Sequence, residues 1–118
     1  MYDGVMTSAE HELHVCDAAV TLAFSVLGKR WNGMIVSAIG SGASTFGALR
    51  RAVPGISDAV LSERLAGLAE VGLVVRTVTP GPPTAVAYAL SDSGERLLPI
   101  LGQLGQWAAG NLSEPSDA

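Results

Sequence analysis

The stretch FGALRRAVPGISDAVLSERLAGLAEVGLVVR, Phe46 to Arg76, reads as two short helices meeting at a tight corner and running into a strand. Phe46, Leu49 and Val53 recur at i, i+3 and i+7, which puts them on one helical face and leaves Arg50 and Arg51 on the flank. Pro54 pushes Val53 out of the helical region, and Gly55 lets the backbone turn sharply before Ile56. Ser57 then has the hydroxyl of an N-cap, and Asp58 places negative charge against the positive end of a new helix dipole. Leu61, Leu65 and Leu68 form the inward stripe of that helix, and Gly72 stands where a left-handed C-cap is wanted. The opposite face, Ala59, Glu63, Ala66, Gly67 and Glu70 flanked by Val60 and Ser62, is lean in large side chains. It therefore suits close approach to another surface. Helix, short turn and second helix is the arrangement that sets a helix in the DNA major groove.

Outward from this corner the chain punctuates itself clearly. Residues 1–15 show no periodicity and predict a loose arm, and Asp17 is placed to cap a first helix. From Ala18 to Leu27 apolar residues occupy every side, the pattern of a helix buried on more than one face. Gly28 ends it, and Lys29 and Arg30 lead to a second helix in which Trp31, Met34, Ile35, Ala38 and Ile39 follow the helical period. Gly40, Ser41 and Gly42 stop that helix, and Ser44 and Thr45 predict a very short strand.

Beyond Gly72, the run Leu73 to Thr79 and the alternation of Val86, Tyr88 and Leu90 with Ala87 and Ala89 have strand character. Pro80, Gly81, Pro82 and Pro83 between them make a stiff turn, so the pair is a hairpin placed as a wing. Ser91 and Asp92 cap a last helix with Leu97, Leu101, Leu104 and Ala108 on one face, widened by Ile100 and Trp107, and Pro99 is expected to bend it. A helix so broadly apolar needs a partner, either the first helix or a second copy. Residues 113–118 read as a frayed tail.

Composition bounds what such a chain does. Its 118 residues make one domain, and 48% hydrophobic against 15% charged residues leaves a surface poor in charge, as expected if part of it is covered by another copy. The net charge of −4 is unevenly spread: residues 1–17 hold four acids and no base, whereas residues 18–91 hold six bases against three acids. Exposed charges separated by more than about 8 Å are largely screened in physiological salt, so the basic middle is what a nearby phosphate would meet. One cysteine makes no internal disulfide, the acidic start is unlike a signal peptide, and no apolar run approaches a membrane span. The expected setting is cytoplasmic, without membrane association.

Together these pieces resemble the HxlR-type winged helix-turn-helix transcription regulators, relatives of the MarR group. The resemblance runs from Cys16 to Trp107 and rests on a combination of motifs. These are Cys16, Leu27-Gly28-Lys29-Arg30-Trp31, Phe46-Gly47-Ala48-Leu49-Arg50-Arg51, Pro54-Gly55-Ile56-Ser57, Leu61-Ser62-Glu63-Arg64-Leu65, Gly72-Leu73-Val74-Val75-Arg76, Pro82-Pro83, Tyr88-Ala89-Leu90-Ser91, Leu104 and Trp107. It implies an α+β, mainly α fold with a two- or three-stranded wing and flanking dimerisation helices, the domain spanning residues 16–112. It also implies a homodimer, joined through Val20, Phe24, Leu101, Leu104 and Trp107 of its first and last helices, that binds an inverted-repeat operator, most simply as a repressor.

The site residues come from that reading. In the helix 58–71, with its cap Ser57, the residues placed to face base edges are Ser57, Asp58, Ala59, Ser62 and Glu63. Ala59 suits a thymine methyl and Glu63 a cytosine amine. Lys29, Arg30, Arg50, Arg51, Arg64, Arg76 and Thr84 are candidates for the DNA backbone. Some relatives sense oxidants, quinones or aldehydes with a cysteine at the position of Cys16, and a thiol just before a helix is activated by the dipole, although Asp17 opposes this. An electrophile is thus a candidate effector, and so is a small molecule held in a pocket between the dimer helices near Trp31 and Trp107.

His11, His14 and Cys16 match no closed metal site, and no cofactor, metal or enzyme signature is present. Ala59, Thr84, Ala85 and Ala87 stand where relatives often carry charge. They keep one alternative open, a winged helix that has become a protein-interaction module and no longer binds DNA.

Overall fold

The computed structural model describes the backbone of residues 8–114 and the side chains of residues 17–114. In chain order the elements are α1 (Ser8–Leu27), α2 (Asn32–Gly40), α3 (Phe46–Ala52), α4 (Asp58–Glu70), β1 (Val74–Thr79), β2 (Ala85–Leu90) and α5 (Asp92–Asn111). Among the described residues, five helices and one antiparallel hairpin make the helix-rich α+β fold expected. The chain divides into two units, Met1–Arg30 and Trp31–Ala118.

The first unit carries α1. This helix starts at Ser8, inside the arm expected over residues 1–15; residues 1–7 lie outside the described residues. It closes with Gly28 N donating to Phe24 O at 2.8 Å. The burial on several faces expected of this helix is not supplied within its own unit: residues 17–25 are all exposed, Val20 at 56%, Leu22 at 71% and Phe24 at 54%. All-round hydrophobicity records that a helix is to be covered, not which chain covers it.

In the second unit the core is drawn from every element of the corner. Ile35, Val36 and Ile39 of α2, Leu49 of α3, Val53 and Ile56 of the turn, Leu61, Leu65 and Leu68 of α4, and Val74 of β1 are all buried. Each large aliphatic side chain so buried contributes about 1.5–3 kcal/mol relative to exposure. The inner face of α2 differs from the one its periodicity suggests. Trp31 lies before the helix, at φ +82°, and α2 begins at Asn32, so the stripe is Asn32, Ile35, Val36 and Ile39 while Met34 is half exposed. A left-handed Trp is a rare conformation, and it takes the indole off the helical face. Its ring lies against the corner instead, with Cη2 3.5 Å from where a Cβ on Gly55 would stand.

The wing is a two-stranded hairpin with Val74 opposite Leu90, Arg76 opposite Tyr88 and Val78 opposite Val86. Val86, Tyr88 and Leu90 are half-buried, as their alternation implies. The short strand expected at Ser44 and Thr45 is reduced to one bond, Tyr88 N donating to Ser44 O at 2.8 Å, because Thr45 is already the N-cap of α3. α5 continues as a helix through Pro99, although the proline ring nitrogen has no hydrogen to donate to the ladder. Of its apolar residues Leu97, Leu98, Leu101 and Ala108 are half-buried, whereas Ile100, Leu104 and Trp107 are exposed.

One staple joins the end of α4 to the start of α5. Ser91 Oγ donates to Gly72 O at 2.6 Å and accepts from Gly94 N at 3.1 Å, and Ser91 N donates to Leu73 O at 3.0 Å. At Gly94 an added Cβ would run into the Leu73 carbonyl and sit 3.2 Å from Leu90 Cβ. Gly67, in the middle of α4, has nothing within 4 Å of its Cβ position. Gly94→Ala is therefore expected to destabilise by about 1–3 kcal/mol, and Gly67→Ala to stabilise by about 0.5–1 kcal/mol through helix propensity. Urea unfolding midpoints measure both, and shifts of the same sign would contradict the packing described.

Candidate nucleic-acid interface

Thr45 caps α3 by accepting from Ala48 N at 3.1 Å, and α3 ends with Val53 N donating to Leu49 O at 3.0 Å. Gly55 then takes φ +93°, a conformation that costs any residue with a Cβ, and Ile56 N donates to Val53 O at 3.3 Å. Ser57 Oγ accepts from Val60 N at 3.2 Å and starts α4. At the far end Leu73 N donates to Leu68 O and Gly72 N to Ala69 O, with Gly72 at φ +81°: the paired bonds of a Schellman cap. Both ends of α4 are thus fixed by the residues the sequence marks for it.

Between these caps α4 is two-sided. Leu61, Leu65 and Leu68 are at most 2% exposed, while Asp58, Ala59, Ser62, Glu63, Ala66 and Glu70 are exposed. The structure therefore gathers four of the five base-facing candidates on the open side of one helix, with Ser57 at its head. Two of them are engaged. Arg50 Nη1 donates to Asp58 Oδ1 at 3.1 Å and Oδ2 at 3.2 Å, across the corner, and Arg64 Nη1 donates to Glu63 Oε1 at 3.0 Å.

The cations sort by element. Arg50 and Arg51 are exposed in the last turn of α3, and Arg51 folds back so that its Nη1 lies 3.4 Å from the Cβ position of Gly47. The Arg64 side chain is only 21% exposed and pairs with the exposed Glu63 beside it. Arg76 shares a hairpin face with Tyr88 directly opposite, and the other face, Val75, Thr77, Thr79, Ala85, Ala87 and Ala89, is uncharged. Thr84 Oγ1 donates to Gly81 O at 3.2 Å within the wing tip. Lys29 and Arg30 are exposed residues of the first unit.

Of the dimerisation candidates, Val20, Phe24, Leu104 and Trp107 are exposed in the single chain and Leu101 is half-buried. α2 and α5 enclose a groove of about 710 Å³ bordered by Met34, Ala38, Leu101, Leu104 and Ala108; neither Trp31 nor Trp107 lines it. Cys16 requires a correction. It does not precede the first helix but is the ninth residue of α1, beyond the first turn where the dipole would favour a thiolate. The side chains of His11, His14 and Cys16 lie outside the described residues.

A capped helix after a sharp corner, with a lean outer face and a hairpin behind it, is the winged helix-turn-helix of DNA-binding proteins. Residues 26–116 match the model of the HxlR-like helix-turn-helix family, and the chain belongs to that family, which is one of transcriptional regulators rather than enzymes. The transcriptional regulator YvaP of Bacillus subtilis strain 168 is 42% identical over 86 residues, 73% of this chain and 80% of YvaP. YodB of the same strain is 38% identical over 95 residues, 80% of this chain and 84% of YodB. The reduced form of YodB superimposes with a TM-score of 0.69 at 33% identity over 96% of this chain and 100% of YodB. The redox regulator HypR in its reduced form gives 0.73 at 31% identity over 79% of this chain and 92% of HypR. Diamide-treated YodB and oxidised HypR are similar to the chain as well. Among the described residues no helix is long and apolar enough to cross a membrane.

Proposed function

We propose that this transcriptional regulator is a sequence-specific repressor that binds an inverted-repeat operator as a homodimer, in the cytoplasm, with α4 in the major groove. The observation that carries the reading is the two-sidedness of α4: a leucine stripe held in the core, and an outer face lean in large side chains between two well-made caps. Of the base-facing candidates on that face, Ala59 and Ser62 meet bases without first giving up an ion pair. Arg50 and Arg51, with Lys29 or Arg30 and the wing residues Arg76 and Thr84, supply contacts to the phosphates. The apolar side chains exposed on α1 and α5, in a chain so poor in charge, support the pairing of two copies through those helices.

Fluorescence anisotropy tests this, with the duplex upstream of the protein's own gene compared with unrelated DNA at several salt concentrations. If about three of the phosphate-contact candidates per subunit neutralise a phosphate, the slope of log K against log salt is about −5. Arg51→Ala is expected to weaken binding to every sequence alike and to bring the slope about 2 units nearer zero, one contact per subunit being lost. A changed base preference in this variant would contradict the backbone role.

Cys16 is the proposed switch. Its support is the similarity to YodB, known in a diamide-treated form, and to HypR, a redox regulator known in both reduced and oxidised forms. Its place is on α1, a helix of the proposed dimer, so modification there would act on how two copies meet. Cys16→Ser is expected to bind DNA as the native protein does and to lose release by diamide or a quinone. Unchanged release in that variant would end the switch reading.

A further inference from the structure

Arg50 lies in the last turn of α3 and Asp58 in the first turn of α4, and their ion pair spans the corner that gives the site its shape. Both side chains are more than half exposed, 51% and 62%, so the pair adds little to folding stability. Its geometry suggests another use. A single nitrogen, Nη1, reaches both carboxylate oxygens, at 3.1 and 3.2 Å, which leaves the hydrogens on Nε and Nη2 unspent; among the described residues they have no other partner. Neighbouring Arg51 has no carboxylate partner among the described residues and lies along its own helix, and Arg64 is tied to the adjacent Glu63. Arg50 is thus the arginine whose guanidinium is held in place by the other arm of the corner.

We propose that Asp58 is a positioning residue for DNA binding, holding Arg50 across the turn so that its remaining N–H groups meet a DNA phosphate. This rests on the proposed DNA-binding function and gives Asp58 a role other than reading a base. An arginine has many rotamers, and one fixed before binding loses less freedom on contact. The role is unusual in sign, because a carboxylate beside DNA would otherwise repel the phosphates.

That sign makes the test decisive. DNA affinity and its salt slope are measured for the native protein, Asp58→Asn, Arg50→Ala and the double variant, with circular dichroism melts to confirm that all four fold. Positioning predicts that Asp58→Asn weakens binding several-fold and brings the salt slope nearer zero, and that the same substitution does not weaken binding in the Arg50→Ala background. If Asp58→Asn tightens binding in both backgrounds, Asp58 is a repelling charge and the proposal is overturned. Equal weakening in both, with an unchanged slope, assigns the effect to the helix start and also overturns it. A native protein that binds no DNA would instead remove the functional reading on which the proposal stands.

Discussion

Val53 and Ile56 are buried on either side of Pro54 and Gly55, and this apolar pinch fixes how α4 leaves α3. Leu49 and Leu61, both without exposure, anchor the two arms to the same core, and the Trp31 ring lies over the glycine that turns the chain. Once the corner is set, the period of Leu61, Leu65 and Leu68 leaves one side of α4 facing outward. The Schellman cap at Gly72 and the Ser91 staple then carry the chain into the wing and α5 from a fixed starting point. The geometry of the presented face is thus a consequence of buried aliphatic contacts, with the surface charges acting on a frame already made.

Much of this was legible in the sequence because its signals are local. Ser57 as a cap, the leucine stripe and the left-handed glycine each depend on a few residues and on backbone rules that tertiary context did not override. What was not legible depended on context. The inner face of α2 moved by one position because Trp31 adopts a left-handed conformation before the helix, which no periodicity reveals. Within the arm read over residues 1–15, the chain is helical from Ser8, a start that is not legible because its mixed polar and apolar residues give no clean stripe. Placing Cys16 within a helix removed the dipole argument for its reactivity.

The site divided in the same way. Which residues share the open side of α4 is set by the helical period, and the structure keeps them there. Which of them are already engaged is not. Arg50 and Asp58 are eight residues apart on different helices, and only the corner brings them to 3.1 Å. The exposed apolar residues of α1 and α5 show the opposite case, a strong compositional signal for burial that a single chain leaves unanswered.

The electrostatics place unusual weight on few groups. The chain carries a net charge of −4, the outer face of the wing is uncharged, and one of the central arginines is engaged by Glu63. DNA binding by such a protein rests on a small number of well-placed cations and on the fit of α4, both doubled in the proposed dimer. The most direct measurement is selection of binding sites from random-sequence duplexes with the purified protein. The account predicts enrichment of inverted repeats whose half-site centres lie one helical turn, about 10 base pairs, or a multiple of it apart. Recovery of no sequence above the starting pool would contradict it.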